Sequence, residues 1–187
     1  MEIRVASDLQ PDSIVDGEGI RTVLWTQGCG HHCKGCHNPE TWSFDAGINV
    51  DVELVKKELS KIKGQDGITL SGGDPWFQID ACLEIAKYCH ELEWNVWCYT
   101  GFTWEQIMIM SKGNPNARAF LQEIDVLVDG RFRLEERSLD LKYKGSKNQR
   151  IIDVQKSLES GSVVEIEKYQ GQKEIGSIYH KPEHIYI

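Results

Sequence analysis

Three cysteines lie within eight residues near the start of the chain, close enough to bind one metal centre together. Cys29, Cys33 and Cys36 belong to the segment Gly-Cys-Gly-His-His-Cys-Lys-Gly-Cys-His-Asn, which follows an apolar and β-branched run over residues 21–26. Three thiolates leave one coordination position without a protein ligand, and an open position distinguishes catalytic metal sites from structural ones. The spacing therefore indicates a reactive metal centre on a loop at the end of a strand.

A zinc site is the alternative for the same cysteines, with His31, His32 or His37 as the fourth ligand. Zinc sites usually draw cysteine or histidine pairs from two separate segments. The sequence contains no second pair of that kind, so zinc is the weaker interpretation.

The spacing of the cysteines, three residues and then two, resembles that of the radical S-adenosylmethionine enzymes. Further motifs, in chain order, resemble the family of anaerobic ribonucleoside-triphosphate reductase activating proteins, which are activases of glycyl radical enzymes. These motifs are Asp-Gly-Glu-Gly-Ile-Arg at 16–21, Asn38 and Thr-Trp at 41–42, Ser-Gly-Gly-Asp-Pro at 71–75, Tyr-Thr-Gly at 99–101, Asp-Val-Leu-Val-Asp-Gly-Arg-Phe at 125–132 and Gly-Ser-Lys-Asn-Gln-Arg at 145–150. Each is weak alone, but their common order makes the resemblance specific.

The resemblance implies two cofactors, one 4Fe-4S cluster and S-adenosylmethionine. Cys29, Cys33 and Cys36 would hold three irons of the cluster, and the fourth iron would be chelated by the amino and carboxylate groups of S-adenosylmethionine. One electron from the reduced cluster would break the bond from sulfur to the ribose 5′ carbon and give a 5′-deoxyadenosyl radical. The residues expected to contact the cofactor are Gly35, Cys36, His37, Gly72, Gly73, Asp74, Tyr99 and Thr100.

The two glycines at 72 and 73 suit close contact with a ligand, since residues without Cβ let the backbone approach and tolerate unusual dihedral angles. Asp74, if ionised, would attract the positive amino group of the cofactor. An ordinary glycine turn between a strand and a helix is the alternative for the same segment.

Adenine packing follows the family pattern less closely. Many radical S-adenosylmethionine enzymes have an aromatic residue directly before the last cysteine, where this chain has Gly35. In the activating proteins that glycine is usual and an aromatic commonly follows the last cysteine, where this chain has His37. The imidazole of His37 is therefore expected to stack on adenine, though less favourably than a larger ring.

Four further polar residues have either a functional or a structural explanation. They are Asp129, Arg131, Gln149 and Arg150, which would bind the cofactor or a partner. An aspartate at a strand end often only begins a turn, and arginines usually form solvated ion pairs.

The function implied by the resemblance is the activation of a second enzyme. The radical would take a hydrogen atom from a glycine in the large subunit of the anaerobic ribonucleoside-triphosphate reductase, and an electron donor such as flavodoxin or ferredoxin would reduce the cluster. Three alternatives stay open: a radical enzyme acting on a small molecule, as a deazaguanine synthase does; an activase of another glycyl radical enzyme; and an electron carrier or metal-binding module without catalysis. Carriers usually keep all their cluster ligands, which counts against the last.

Alternating strand and helix patterns would place these motifs at one edge of a sheet. Apolar runs predict strands at 22–26, 68–70, 94–100, 124–128 and 151–154, and helical periodicity predicts helices at 52–62, 79–89 and 104–110, the last capped by Thr103. Repeated β-α units imply a parallel sheet whose functional loops follow the carboxyl ends of the strands.

The length of 187 residues sets the expected fold class, which is α/β. A closed eight-stranded barrel typically takes about 250 residues, so we expect an incomplete, open β/α barrel of the radical S-adenosylmethionine type with about five to six parallel strands. We expect a single domain over residues 1–187, with the motifs in a core at 16–154 and a C-terminal extension at 155–187.

Composition excludes other function classes. The formal net charge of −8 disfavours binding to nucleic acid, and no apolar stretch approaches the roughly 20 residues of a membrane span. The N-terminus does not resemble a signal peptide, so we expect a cytoplasmic protein whose six cysteines stay reduced. We interpret Cys82, Cys89 and Cys98 as buried apolar residues.

Overall fold

The computed structural model describes residues 1–170, which form one mixed sheet and the helices packed on it. Residues 171–187, most of the expected C-terminal extension, lie outside the described part. The strands are β1 (Glu2–Val5), β2 (Gln10–Ser13), β3 (Arg21–Thr26), β4 (Ile48–Asp51), β5 (Gly67–Gly72), β6 (Asn95–Tyr99), β7 (Val126–Asp129) and β8 (Arg150–Asp153). The α-helices are α1 (Val52–Leu59), α2 (Ile79–Glu91), α3 (Trp104–Gly113), α4 (Pro115–Gln122) and α5 (Val154–Ser160).

The sheet has the order β4-β1-β3-β5-β6-β7-β8, and β2 also pairs with β3. Four neighbouring strands, β3, β5, β6 and β7, run parallel. The expectation of five to six parallel strands was wrong, because β8 pairs antiparallel with β7, as β1 and β2 do with β3. A parallel strand needs a crossover, usually a helix, whereas residues 130–149 contain only one short 3-10 turn and return the chain directly.

The helices that the periodicity predicts are present, with small differences at their ends. Thr103 caps α3 as expected: its side chain accepts a hydrogen bond from the Gln106 amide, and the Gln106 side chain accepts one from the Thr103 amide. The α1 helix ends at Leu59, three residues before the predicted boundary. The α4 helix was not predicted, although Asn114 and Pro115 are typical of a helix start. No helix in residues 1–170 is long and apolar enough to cross a membrane.

The sheet has two differently packed faces. The face covered by α1 to α4 carries the main core, in which Cys82, Cys89 and Cys98 are fully buried, as the sequence predicted. The other face is packed by a smaller cluster of Trp97, Val128 and Ile151 with several tyrosines. The sheet therefore lies between a large apolar core and a smaller, largely aromatic cluster.

A fully buried arginine ties together the starts of three parallel strands. Arg21 donates from Nε to Thr69 Oγ1 at 2.7 Å, and its Nη atoms donate to the carbonyls of Glu18, Ile68 and Asn95. No carboxylate in residues 1–170 forms an ion pair with it. Burial lowers the pKa of Arg21 to about 10, so the guanidinium stays charged at neutral pH and is held by neutral acceptors.

We expect Arg21→Met to lower the free energy of unfolding by about 2–4 kcal/mol, because the buried Thr69 hydroxyl and Ile68 carbonyl and two partly buried carbonyls would lose their donor. Urea denaturation of the metal-free protein measures the change. Arg118→Met, at an exposed position, is the control and should change little. Equal losses in the two variants would contradict a structural role for the buried guanidinium.

Candidate functional site

The cysteine loop leaves the end of β3 and is fixed at its base by the segment that follows it. The Cys29 amide donates to the Trp42 carbonyl at 3.0 Å, and the neighbouring Gly28 amide donates to the Thr41 carbonyl at 2.8 Å. Within the loop, the Cys36 amide donates to the Cys33 carbonyl at 3.0 Å. The three cysteines therefore lie on a closed turn with both ends anchored.

The three thiols are free, and they differ in exposure. Cys29 is 8 % exposed, whereas Cys33 and Cys36 are partly exposed. Burial raises the pKa of Cys29 to about 11 and also raises the pKa of Cys33, so a metal must displace protons to bind them.

The donor set suits an iron–sulfur cluster. Cysteine thiolates are the usual ligands of such clusters. In residues 1–170, no three His, Cys, Asp or Glu side chains converge closely enough to hold a single metal ion. Three cysteine thiols on one loop are ligands of the chemical type that such a cluster takes.

The Gly-Gly-Asp segment packs directly on the base of the cysteine loop. Gly72 pairs with Thr26 in the parallel register of β5 and β3, and the Gly73 amide donates to the Thr26 carbonyl at 2.7 Å. A Cβ on Gly73 would lie 2.4 Å from the Gly28 carbonyl oxygen, and one on Gly72, whose φ is +100°, would lie 2.5 Å from that of Thr26. Both glycines are thus required by close backbone contact between the two segments.

The Asp74 carboxylate joins three segments in a site where it is 1 % exposed. One oxygen accepts hydrogen bonds from the Thr100 hydroxyl and the Gly101 amide, both at 2.9 Å, and lies 2.8 Å from Nε2 of His31. The other accepts from the Trp76 amide at 3.0 Å. The carboxylate oxygens are therefore directed at groups of the chain itself, which gives Asp74 a positioning role between the cysteine loop and the ends of β5 and β6.

His31, which the sequence analysis named only as a possible zinc ligand, is a further residue of the site. Its side chain is 5 % exposed, and its ring lies 4.5 Å from that of Phe102 and 5.7 Å from that of Phe77, centroid to centroid. A Cβ on Gly101 would lie 2.4 Å from the ring. The available signal was its position between the first two cysteines. His32, in contrast, is exposed.

Tyr99 and Thr100, which the sequence analysis expected to contact the cofactor at the end of β6, face different surroundings. Thr100 is brought to the site through its hydrogen bond to Asp74. Tyr99 points to the second face of the sheet, where its hydroxyl donates to the Tyr143 carbonyl at 2.9 Å and burial raises its pKa.

The segment between β7 and β8 covers part of the cysteine loop. Gly35 has a φ of +76°, and a Cβ there would lie 3.0 Å from the Leu134 side chain. The exposed ring of His37 lies 5.0 Å from that of Phe132. Gly35 and His37, both expected to contact the cofactor, therefore border the segment between β7 and β8.

Structural contacts dominate at the four polar residues for which the sequence allowed either a functional or a structural role. Asp129, 1 % exposed, accepts from the amide that begins α3 at 2.7 Å and from Arg150 Nε at 3.0 Å. Arg150 also binds both carboxylate oxygens of Glu105 and lowers the pKa of that residue to about 2. Gln149 bridges an amide and a carbonyl of its own loop. Arg131 alone of the four is exposed.

Comparison with known proteins finds relatives along most of the chain. A family model described as a 4Fe-4S single cluster domain matches residues 15–152. The chain is 33% identical over 149 residues to the anaerobic ribonucleoside-triphosphate reductase-activating protein of Haemophilus influenzae, covering 74% of this chain and 91% of that protein. It is 32% identical over 152 residues to the protein of the same name from Enterobacteria phage T4, covering 76% and 90%.

Two further similarities are more partial. The chain is 41% identical over 83 residues to the pyruvate formate-lyase-activating enzyme of Clostridium pasteurianum, covering 42% of this chain and 35% of that enzyme. QueE from Escherichia coli, a solved structure, matches 55% of this chain and 54% of its own, with a TM-score of 0.45 and 15% identity.

We expect Asp74→Ala to speed hydrogen exchange at the Gly101 and Trp76 amides by about tenfold or more, because each amide loses a buried acceptor worth roughly 1.4 kcal/mol. Amide exchange of the metal-free protein, followed by NMR, measures it. Asp74→Asn keeps one acceptor oxygen, so it should retain the protection of one of the two amides and lose that of the other. Unchanged exchange in Asp74→Ala would show that the carboxylate does not organise the site.

Proposed function

Because the chain belongs to the family of anaerobic ribonucleoside-triphosphate reductase-activating proteins, we propose that it installs the glycyl radical of such a reductase. It is a radical S-adenosylmethionine enzyme with a 4Fe-4S cluster and S-adenosylmethionine as cofactors. When bound, the reduced cluster supplies the electron that cleaves S-adenosylmethionine to methionine and a 5′-deoxyadenosyl radical, which takes hydrogen from a glycine of the large reductase subunit. The observation that carries the proposal is the three-cysteine loop packed on the Gly-Gly-Asp segment within residues 15–152.

In this proposal the cysteine loop holds the cluster and leaves one iron for the cofactor. Cys29, Cys33 and Cys36 bind as thiolates, each to a separate iron. The anchored base of the loop fixes Cys29, and the partly exposed Cys33 and Cys36 stand nearer the surface. Hydrogen bonds to the sulfurs help to set the reduction potential of such clusters, and the Asn38 amide already donates to the Cys36 sulfur at 3.4 Å.

The cofactor is proposed to lie along the strand ends next to this loop. The backbone at Gly72 and Gly73 is close to the cysteine loop and is proposed to contact the amino group. Asp74 is proposed to act by holding Thr100 and the neighbouring backbone in place, since its oxygens are engaged by the chain. Gly35, Cys36 and the exposed His37 are proposed to border the adenine, and Tyr99 the pocket wall on the second face.

The fold and the state of the cysteines suit this reaction. We propose that the four parallel strands with their antiparallel neighbours form an incomplete barrel, whose open side admits the reductase loop that carries the glycine. All six cysteines are free thiols, which fits the reducing cytoplasm. A protein electron donor, such as a flavodoxin or a ferredoxin, completes the proposed system.

Activation of another glycyl radical enzyme is the second candidate. The observation in its favour is the 41% identity to the pyruvate formate-lyase-activating enzyme, which covers only 35% of that relative. The reductase is the better candidate because its activating proteins are matched over about nine-tenths of their length.

The activase function predicts a glycyl radical that depends on this chain. We expect the protein, reconstituted anaerobically with iron and sulfide, reduced, and mixed with S-adenosylmethionine and the candidate reductase, to give a glycyl signal in electron paramagnetic resonance. Omission of the chain or the cofactor should remove the signal. Abundant 5′-deoxyadenosine without the signal would redirect the reaction to another substrate. If a verified cluster gave neither the glycyl signal nor 5′-deoxyadenosine, that result would contradict the enzyme assignment.

The ligand assignment predicts unequal effects of two cysteine substitutions. Cys33→Ala should abolish 5′-deoxyadenosine formation, because it removes a thiol of the proposed cluster site. Cys82→Ala should keep it, since that thiol is fully buried in α2 on the helical face. Chromatographic quantification of 5′-deoxyadenosine measures both. Equal loss in the two variants would count against the proposed ligands.

A further inference from the structure

The surface beside the cysteine loop is basic, although the chain as a whole is acidic. The chain has 21 Lys and Arg against 29 Asp and Glu. One exposed basic residue follows Cys33, and others lie on the segment between β7 and β8, which also carries the exposed Lys142; five of them we call the basic collar, namely Lys34, Arg131, Arg133, Arg137 and Lys147. Among residues 1–170, only Arg133 of these forms an ion pair, with Glu136 at 2.8 Å.

Hydrogen bonds between the two arms of the segment hold the collar in place. The Lys147 amide donates to the Glu136 carbonyl at 2.9 Å, and the Arg133 amide donates to the Ser146 hydroxyl at 3.2 Å. The Arg131 carbonyl accepts from the Asn148 side chain at 2.9 Å. Four of the five collar residues therefore lie on one structured hairpin, and the fifth, Lys34, lies on the cysteine loop.

The same hairpin rests on the cysteine loop. Leu134 packs against Gly35, and Phe132 packs against His37, the residues that flank Cys36. Lys34 directly follows Cys33 in the chain. Segments that carry basic residues thus border the part of the loop where Cys33 and Cys36 are partly exposed, which is where a bound cluster would be nearest to the surface.

We propose that the basic collar is the docking surface for an acidic electron-transfer protein that reduces the cluster. This inference rests on the proposed function, which requires one electron for each cleavage of S-adenosylmethionine. In the step proposed, the donor protein is oxidised by one electron and the cluster is reduced by one, and no bond forms or breaks.

Charge distribution supports an acidic partner at this position. Outside the collar region the chain carries an excess of acidic residues, so an acidic protein would be attracted here and repelled elsewhere. The acidic side chains within the hairpin are Glu135, Glu136 and Asp140, and Glu136 is already paired with Arg133. Such a field orients the partner before contact and raises the association rate.

The composition of the surface favours a donor over the reductase itself. Only Leu134 and Leu139 expose large apolar side chains on the hairpin, at 39% and 87%. Electron-transfer complexes are often small, below about 1,200 Å², and depend on charge complementarity more than on apolar area. An electron must reach the cluster ligands, which the collar borders, whereas the glycine of the reductase must reach the cofactor at the strand ends.

The test compares two triple variants of the reconstituted protein that lose the same charge. The collar variant is Arg133→Gln with Arg137→Gln and Lys147→Gln. The control is Lys57→Gln with Lys61→Gln and Lys63→Gln, at exposed positions before the start of β5, on the opposite edge of the sheet from the cysteine loop. Stopped-flow absorbance follows cluster reduction by a reduced, negatively charged flavodoxin and, separately, by dithionite.

We expect the collar variant to be reduced by flavodoxin about tenfold more slowly than the wild type at low ionic strength, and the control less than twofold more slowly. Added salt should slow the wild type and remove the difference. Reduction by dithionite should be equal in all three proteins.

Equal flavodoxin rates in the two variants would overturn the proposal. So would a collar variant that is reduced normally by flavodoxin but gives less glycyl radical with dithionite, since the collar would then bind the reductase. Cluster reduction is measured without S-adenosylmethionine, so its outcome is independent of whether the proposed function holds.

Discussion

The buried carboxylate of Asp74 is the contact on which the arrangement of the site depends. The carboxylate accepts hydrogen bonds from groups after the end of β6 and from the turn that follows β5, and it also contacts His31 in the cysteine loop. It therefore fixes three segments that are distant in sequence. A carboxylate that is 1 % exposed is costly to bury unless its oxygens are satisfied, and here four groups of the chain satisfy it. The close approach at Gly73 and Gly101 follows from the same geometry, since a side chain at either position would collide with the Gly28 backbone or the His31 ring.

Much of the site was predictable because it depends on local patterns. An apolar run followed by closely spaced cysteines marks the end of β3, and glycines after a short apolar run mark the end of β5. Parallel strands carry their functional loops at one edge, so the two motifs were expected to meet, and the hydrogen bond from the Asp74 amide to the Gly28 carbonyl at 3.0 Å joins them. Thr103 was predictable as a helix cap for the same local reason.

Other features depend on contacts that a single sequence does not reveal. The direction of β8 is decided by the absence of a crossover helix between residues 130 and 149, a segment whose composition does not distinguish a hairpin from an irregular loop. The antiparallel strands β1, β2 and β4 are short; β2 and β4 are mostly exposed, and β1 buries only Ile3 and Val5, so none of them has the continuous apolar run that identifies a strand. His31 acquires its importance from Asp74, which lies 43 positions further along the chain.

The thiols of Cys29, Cys33 and Cys36 do not belong to the apolar clusters that hold the chain together, although Cys29 itself is buried. The base of the loop is fixed by backbone hydrogen bonds to residues 41 and 42, and its centre by His31. This differs from small zinc domains, whose folding free energy comes from the metal itself. We therefore expect biogenesis in two separable stages, in which the polypeptide first reaches its native topology and iron and sulfide are delivered afterwards to a preformed receptacle.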